Sequence, residues 1–307
     1  MAEKLSFVVP KEFDGKSAKS FLRGYCGISA ALLIKLKREE KGITADGVCL
    51  RTVDILKAGQ RIELSLPSEE SNIDPVEGKL DIVFEDKWLL IVNKPPFMPV
   101  HPVKQHQTDT LANIVRYYNL QNCENYIFRA VNRLDRDTSG LVMICKDKFS
   151  ANKLKNNVYK EYIAICHGKI TRGKTTINAP IGLTAESKIV RHVLPGGQPS
   201  VTHYEEIDHC NDISLLKLWL ETGRTHQIRC HMASVNHPLV GDDLYGGSRE
   251  HIARQCLHCS KMSFVHPVSG DNLTVSAPIP GDMQDVLKHY FSNNEILKLR
   301  EMMHKCN

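Results

Sequence analysis

The sequence lacks any long apolar segment, which excludes a helix that spans a membrane. The longest apolar runs, AALLI at 30–34 and LLIV at 89–92, fall far short of the roughly 20 residues that such a helix needs. Residues 1–16 also lack the apolar core of a secretory signal. We therefore expect a cytoplasmic protein that has no membrane partner.

The common signatures of cofactor and metal sites are missing as well. The one GxxxxGKT match, at 168–175, is not followed by a predicted helix, which a phosphate-binding loop needs, and the sequence contains no GxGxxG after a strand, no HExxH and no GxSxG. Such segments hold phosphates, dinucleotides, zinc ions and nucleophilic serines. We therefore expect neither a nucleotide cofactor nor any other cofactor, and no metal ion.

The ten cysteines do not form the pattern of a disulfide framework, because the chain is long and spaces them irregularly. The one suggestive spacing is Cys256-x-x-Cys259, with His251, His258 and His266 nearby. A zinc site needs four ligands and usually two such cysteine pairs, whereas a buried free cysteine behaves as a small apolar side chain. We favour packing for both cysteines and keep a metal site as the alternative.

Charge is distributed unevenly along the chain, although the net charge is only +5. Residues 11–62 carry a net +5, residues 63–87 a net −6 and residues 88–307 a net +6. The acidic stretch at 66–78 has two prolines and no apolar periodicity, which is typical of a linker. We predict an N-terminal domain, an acidic linker and a larger domain over residues 1–66, 67–78 and 79–307.

The N-terminal domain has the pattern of two helices followed by a small sheet. Apolar residues recur at helical spacing over 18–25, and Ser29 can cap a second helix that ends near Gly42. The segments 43–50 and 61–66 are typical of strands. Basic side chains crowd the end of the second helix: Lys35, Lys37, Arg38 and Lys41. This pattern resembles the S4-type RNA-binding module, which implies that these side chains bind RNA; the alternative is a solvated basic helix on a structural domain.

The larger domain is predicted to be an α+β fold built on a mixed or antiparallel sheet. Strand-like segments predominate from residue 79 onward and do not alternate regularly with helices, which disfavours a doubly wound parallel sheet. Helices are predicted over 110–120, 149–158, 225–234, 283–291 and 294–303.

The segment VNRLDRDTSG at 131–140 concentrates charge in a way that suits chemistry. It places Asp135 between Arg133 and Arg136, and nearby positive charge keeps a carboxylate ionised because it lowers the pKa. An ionised carboxylate can act as a nucleophile or stabilise a developing cation. The alternative is a turn that is stabilised by its own Asp–Arg pairs.

Two further segments carry polar residues at suggestive spacings. In GRTHQIR at 223–229, His226 and Arg229 lie on one face of a helix predicted to begin near Thr225. Arg224 lies just before that helix, where free backbone N–H groups attract anions. In VYKEYIAICHG at 158–168, Tyr162 lies on a strand. Taken singly, the histidine could equally be a loop residue with satisfied hydrogen bonds.

Together these segments resemble the RluA-type family of pseudouridine synthases. That family carries HRLDxxTSG, K-x-Y and GRTHQIR followed by HPxxGDxxYG; here the segments are NRLDRDTSG, KEY and GRTHQIR followed by HPLVGDDLYGG. The resemblance covers about residues 80–285, and an S4-like module ahead of this part is common in the family. It implies an isomerase that detaches uracil from its ribose in RNA, turns it and rejoins it through C5, without a cofactor.

The resemblance also implies a role for each matching residue. Asp135 matches the catalytic aspartate, Tyr162 the tyrosine that stacks on the target base, and Arg229 the basic residue that keeps the aspartate ionised. Arg133 matches an arginine that fills the gap left by the extruded uridine. A base must leave its stack before its glycosidic bond can meet a buried carboxylate.

The remaining candidates for RNA binding are Asn132, Arg224 and His226. Asn132 stands where the family usually has histidine, so it can form hydrogen bonds but cannot titrate near neutral pH.

The substrate is expected to be structured RNA, with large-subunit ribosomal RNA favoured and transfer RNA as the alternative. We expect a monomer, because no segment signals an interface. Two other functions stay open: a non-catalytic RNA-binding protein on a synthase scaffold, and a hydrolytic N-glycosidase in which Asp137 is the second acid or base.

Overall fold

A computed structural model of the chain describes residues 4–66, 71–170 and 173–291. Its strands are β1 (Lys4–Val8), β2 (Ile43–Ala45), β3 (Val48–Cys49), β4 (Arg61–Ser65), β5 (Ile82–Glu85), β6 (Leu89–Lys94), β7 (Ser139–Cys145), β8 (Val158–His167), β9 (Lys174–Asn178), β10 (Ile181–Leu183), β11 (Arg191–Val193), β12 (Val201–Cys210), β13 (Ile213–Leu220), β14 (Leu257–Val265) and β15 (Asn272–Ser276). Its α-helices are α1 (Ala18–Ser20), α2 (Ala30–Leu36), α3 (Leu111–Gln121), α4 (Lys148–Leu154), α5 (Gln227–Ser234) and α6 (Gly281–Tyr290). None of the helices in these ranges has the length and apolarity to cross a membrane.

The N-terminal part is a small α+β unit, as predicted. Four strands pair in the order β1-β4-β2-β3, although β1 was not foreseen from the sequence. The Ser29 hydroxyl accepts a hydrogen bond from the Leu32 N–H and caps α2, which confirms the predicted start of that helix.

The predicted end of α2 near Gly42 is wrong, because the helix ends at Leu36. The chain then turns back so closely that a Cβ on Gly42 would lie 2.0 Å from the Leu36 carbonyl oxygen. Lys37, Arg38 and Lys41 therefore lie on exposed turns after the helix, and only Lys35 of the basic group lies on it.

The acidic linker packs against the larger domain over its described part. The side-chain amide of Asn113 on α3 donates to the Asp74 carbonyl over 2.8 Å, and the Val76 N–H donates to the Asn113 carbonyl over 3.2 Å. Residues 67–70 of the predicted linker lie outside the described residues. The segment after them is therefore an ordered strap along α3.

Phe149 joins the two parts through their apolar cores. Asp147 caps α4 by accepting from the Phe149 N–H over 2.7 Å, which directs the Phe149 ring towards the N-terminal unit. The ring is buried in the core of that unit, with its centroid 6.1 Å from the ring of Phe7 in an edge-to-face contact. Trp88 packs against the same core and against that of the larger domain. The two parts thus share a packed boundary.

The larger domain is built on a mixed sheet, which confirms the predicted fold class. Its strand order is β5-β6-β7-β14-β8-β13-β12-β9, with β15 paired to β14. The β7–β14 pair is parallel and the other pairs in this sheet are antiparallel. Four predicted helices correspond to α3, α4, α5 and α6, whereas 294–303 lies outside the described residues. The strands β9, β10 and β11 were not predicted.

Both faces of the central strands are covered, because successive side chains point to opposite faces of a sheet. Tyr162 and Ala164 of β8 belong to the core on one face. Ile163 and Ile165 belong to the core on the other face, which α6 covers through residues such as Leu287. The geometry of β8 therefore fixes the position of Tyr162 on the first face of the sheet.

Candidate active site

The loop that carries Asp135 is fixed at the point where it enters β7. The Thr138 N–H donates to the Asp135 carbonyl over 3.1 Å. Gly140 has φ 113°, and a Cβ there would lie 2.3 Å from the carbonyl oxygen of Cys259 on β14. Only glycine allows this close approach, so the TSG segment sets where the loop ends and β7 begins. The Asp135 side chain is 25% exposed.

Arg229 on α5 reaches Asp135 from the other side of the site. Its Nη1 donates to Asp135 Oδ2 over 3.2 Å, and its Nε and Nη2 donate to the two carboxylate oxygens of Asp242, each over 2.7 Å. Asp242 is fully buried at its side chain. Burial opposes the charge of Arg229, but Asp242 and Asp135 raise its pKa above the usual value. The bidentate pair holds the guanidinium in place and leaves Nη1 to donate to Asp135.

His226 lies beside this pair in an unusual backbone conformation. It precedes α5 with φ 57°, in the left-handed region that non-glycine residues rarely adopt. Its Nε2 lies 3.9 Å from Asp135 Oδ2, and its Nδ1 lies 3.1 Å from the hydroxyl of Tyr245. Burial lowers the pKa of His226, so the imidazole is neutral at pH 7. The structure brings Asp135, Arg229 and His226 together.

Tyr245 is a residue of the site that the sequence did not point to. Its ring lies under the Arg229 guanidinium, 5.1 Å from centroid to Cζ, and its hydroxyl accepts a hydrogen bond from the Arg191 N–H over 2.9 Å. The segment HPLVGDDLYGG contained it, but neither spacing nor charge distinguished it there.

Tyr162 lies within the central sheet, between Leu218 of β13 and Cys259 of β14. The side chain is only 5% exposed. Burial raises the pKa of Tyr162 well above the usual value, and the Cys259 thiol and the Asp135 charge act in the same direction. The phenol therefore keeps its proton at neutral pH, so it can donate a hydrogen bond or stack but does not serve as a base in its resting state.

The prediction that Asn132 binds RNA is not supported by its geometry. Its Nδ2 donates to the Leu141 carbonyl and its Oδ1 accepts from the Met143 N–H, both over 3.0 Å. The amide thus pairs with β7 as a further strand residue would, and both of its ends point into the protein. Asn132 anchors the Asp135 loop instead.

The other two candidates for RNA binding, Arg224 and Arg133, are both exposed. The backbone N–H of Arg224 is not free for an anion, because it donates to the Gln227 side-chain oxygen over 3.0 Å, and the helix begins at Gln227. The Arg224 Nε donates to the Pro199 carbonyl over 3.4 Å. Arg133 is exposed, and its charge adds to burial in lowering the pKa of His101.

The turn with internal Asp–Arg pairs exists, but it involves Asp137 rather than Asp135. Arg136 donates to both oxygens of Asp137 over 2.7 and 3.0 Å. The Asp137 carbonyl also accepts from Arg254, whose guanidinium is paired with Asp282. Asp137 is therefore occupied by its neighbour, whereas Asp135 turns into the site.

Lys94 anchors the Asp135 loop through its buried ammonium group. The side chain is fully buried at the end of β6, and its ammonium donates to the carbonyls of Pro95, Met98 and Arg136 over 2.7, 2.8 and 3.1 Å. Burial, with a smaller contribution from the Arg254 charge, lowers the pKa of Lys94 to about 7. The sequence did not single this residue out.

Lys94 predicts a pH-dependent stability. The folded protein releases this proton near pH 7, whereas the unfolded chain keeps it until the ordinary pKa of 10.5. The unfolded state therefore binds more protons between these values, and the free energy of unfolding rises with pH across this window. Lys94→Met should reduce the slope by up to about 1.4 kcal/mol per pH unit. Urea unfolding of both proteins from pH 7 to pH 10 measures this, and parallel curves would contradict it.

Cys256 and Cys259 point into different apolar clusters. Cys256 belongs to the core under α6 and Cys259 to the core around Tyr162. Burial raises the pKa of each thiol to about 12, so neither is a thiolate ready for a metal. Within the described ranges, no group of three or more His, Cys, Asp or Glu side chains could hold a metal ion.

Comparisons with known proteins agree with this geometry. The model of a family described as RNA pseudouridylate synthase matches residues 88–234. An uncharacterised RNA pseudouridine synthase of Bacillus subtilis is 43% identical over 78% of this chain and 82% of its own length. The ribosomal large subunit pseudouridine synthase D of Escherichia coli is 34% identical over 78% of this chain and 80% of its own length. The fold resembles human RNA pseudouridylate synthase domain containing 1, with TM-score 0.57 and 24% identity over 74% of this chain and 97% of that one.

Proposed function

The chain belongs to the RluA-type family of RNA pseudouridine synthases, and from this premise we propose that it isomerises specific uridines of large-subunit ribosomal RNA. The reaction class follows from the family. The choice of RNA is supported by relatives whose name refers to the large ribosomal subunit. The assignment of the site rests on one observation, the contact of Asp135 with an arginine that a buried carboxylate holds in place.

Asp135 is proposed as the catalytic carboxylate. Its Oδ2 accepts from Arg229, while its Oδ1 has no hydrogen-bond partner among the described residues and is left for the substrate. An ionised carboxylate attacks or stabilises an electron-poor sugar carbon, as carboxylates do in glycosidases. After the bond between C1′ and N1 breaks, the uracil turns and C5 bonds to C1′; the proton that leaves C5 is balanced by a proton gained at N1. No atom of the nucleoside is replaced, so no co-substrate is needed.

Tyr162 is proposed as the surface on which the extruded uracil stacks. Extrusion costs a few kcal/mol, and aromatic stacking returns about 1–3 kcal/mol per base. Because the pKa of Tyr162 is raised, the phenol stays neutral beside the Asp135 carboxylate. Arg133, which is exposed at the rim, is proposed to fill the gap left in the RNA.

The alternatives make different use of the same loop. A hydrolytic N-glycosidase needs a second acid or base, and the next carboxylate of the loop, Asp137, is bound by Arg136. A non-catalytic RNA-binding protein has no need for an arginine held against Asp135. Both observations favour the synthase reaction.

Incubation with defined RNAs tests the proposal. Transcripts of large-subunit ribosomal RNA, small-subunit ribosomal RNA and transfer RNA are treated with the protein, labelled with carbodiimide and mapped by primer extension. We expect a stop at a defined uridine in the large-subunit transcript. A stop in transfer RNA alone would replace the proposed substrate, release of free uracil would indicate a glycosidase, and no stop in any RNA would contradict catalysis.

The N-terminal part, residues 1–66, is proposed as an S4-like RNA-binding module. Lys35, Lys37, Arg38 and Lys41 are all exposed. On the larger domain, the pKa of Lys148 is lowered to about 8, first by burial and then by its contact with Lys35. Two cations that meet at the boundary favour a bound phosphate. RNA is therefore proposed to cross from the module to the catalytic domain at this point.

The salt dependence of RNA binding tests the module. The triple variant Lys37→Ala, Arg38→Ala, Lys41→Ala should lower the slope of log affinity against log salt by about 2–3, because each phosphate contact contributes about 0.7–0.9. The matched control changes three other exposed lysines: Lys4, Lys79 and Lys288. The control should keep its slope, and equal slopes for both variants would remove the assignment.

The cell compartment and the oligomeric state are part of the proposal. Every cysteine among the described residues is a free thiol, which suits the reducing cytoplasm. We propose a cytoplasmic monomer, and light scattering with and without RNA checks the second point.

A further inference from the structure

Tyr245 contacts both His226 and Arg229, the two side chains that face Asp135. We propose that its hydroxyl fixes the tautomer of His226, so that the Nε2–H of this histidine points at the Asp135 carboxylate. Tyr245 and His226 are then positioning residues that orient the carboxylate. This inference rests on the proposed role of Asp135, but its main observable does not depend on activity.

The first step is the direction of the hydrogen bonds at the Tyr245 hydroxyl. The Arg191 N–H, 2.9 Å away, is a backbone group that can only donate, so the hydroxyl oxygen accepts from it. The hydroxyl has one proton of its own. The acceptor that it meets among the described residues is Nδ1 of His226, at 3.1 Å. The hydroxyl therefore donates to Nδ1.

The second step is the charge of the imidazole. Burial is the largest cause that lowers the pKa of His226, and the charges of Arg229 and Arg191 add to it, while Asp135 and Asp242 oppose it. The ring is therefore neutral at pH 7 and has one N–H. Because Nδ1 accepts from Tyr245, the proton lies on Nε2.

The third step is where that proton points. His226 Nε2 lies 3.9 Å from Asp135 Oδ2, the same oxygen that accepts from Arg229. The cationic Arg229 and the neutral His226 thus both approach Oδ2, whereas Oδ1 stays open. A proton on Nδ1 instead would turn a lone pair of Nε2 towards the carboxylate and repel it.

Packing holds the same arrangement. The Tyr245 ring makes an edge-to-face contact with His226, with centroids 5.8 Å apart and planes at 86°, and its face lies 5.1 Å from the Arg229 guanidinium. The left-handed backbone of His226 is a strained state that persists only where surrounding contacts impose it. Since Arg191 is the first residue of β11, the β10–β11 hairpin is connected to the carboxylate through two hydrogen-bond partners, Tyr245 and His226, and the 3.9 Å approach of His226 Nε2 to Asp135.

The variant Tyr245→Phe tests the proposal, because it removes the hydroxyl and keeps the ring. The protein is labelled with ¹⁵N-histidine, and two-bond correlation spectra distinguish the tautomers; the His226→Gln spectrum identifies the signal. We expect the Nε2–H tautomer in the wild type and a mixture or the Nδ1–H tautomer in Tyr245→Phe. On the proposed RNA substrate, kcat should fall about tenfold while KM stays unchanged.

The matched control is Tyr118→Phe, which removes a hydroxyl that donates over 2.7 Å to Glu85 on β5, a strand at one end of the larger sheet. It should leave the His226 signal and kcat unchanged. A wild-type histidine with its proton on Nδ1, or the same tautomer in wild type and Tyr245→Phe, would overturn the proposal. Failure of the RNA assay with the expected tautomers would count against the proposed function alone.

Discussion

Asp135→Asn is expected to lower the rate of pseudouridine formation by at least about 10³-fold, the size of effect seen when a principal catalytic group is removed. Asparagine has nearly the same shape and can still accept a hydrogen bond from Arg229, but it carries no charge and is a poor nucleophile. Binding of RNA should change little, since the variant removes a negative charge from a site that binds a polyanion. Single-turnover mapping of the modified uridine measures the rate, and a filter-binding titration measures the affinity.

Asp137→Asn is the matched control, two positions further along the same loop. It makes the same chemical change at a side chain that is bound by Arg136, so we expect a rate within about threefold of the wild type, as for a surface change away from the reacting atoms. Equal losses in both variants would point to damage of the whole loop. A loss in Asp137→Asn alone would move the catalytic role from Asp135 to Asp137.

Arg229→Met is expected to lower the free energy of unfolding by about 3–5 kcal/mol, because it leaves the buried carboxylate of Asp242 without a counter-charge. It should also abolish activity, since Asp135 loses the donor on its Oδ2. Both losses come from one substitution, so the single variant does not separate the catalytic effect from the structural one. Urea unfolding measures the first loss and single-turnover mapping the second.

The double variant Arg229→Met, Asp242→Asn separates the two effects. Removing both charges of a buried pair is far less costly than removing one, so we expect most of the lost stability to return. Activity should stay at least about 10²-fold below the wild type, as when a single preorganised donor is removed. Recovered activity in the double variant would show that Arg229 acts only through the fold. Additive losses of stability would show that the two side chains are not energetically coupled.

The candidate site residues that the sequence predicted are those whose chemical type stands out in their segment. Asp135, Tyr162 and Arg229 carry a charge or an aromatic ring within unusual segments, and a resemblance of several segments in order supported them. The mixed sheet followed from strand-like segments without regular helices between them, and the Ser29 cap followed from local chemistry.

What the sequence did not predict depends on contacts between distant residues. Asn132 was expected to bind RNA, but the direction of its amide is set by the neighbouring strand β7. Lys94 and Tyr245 gain their importance from burial against loops that lie far along the chain. The N–H of Arg224 was expected to be free, and the side chain of Gln227 occupies it. Composition and spacing carry no information on such orientations.

Phe149 makes the N-terminal module hard to remove. Its ring belongs to the module's own core although it is carried by the first turn of α4. A truncated chain that begins after residue 66 would present this ring and part of Trp88 to water, and newly exposed apolar surface promotes aggregation. Truncation would therefore yield a catalytic domain that is prone to aggregate. Poor RNA binding by such a domain would not show that the module itself contacts RNA. Charge substitutions on the intact protein are the informative route, and loss or exchange of the module during evolution would require a compensating polar change at position 149.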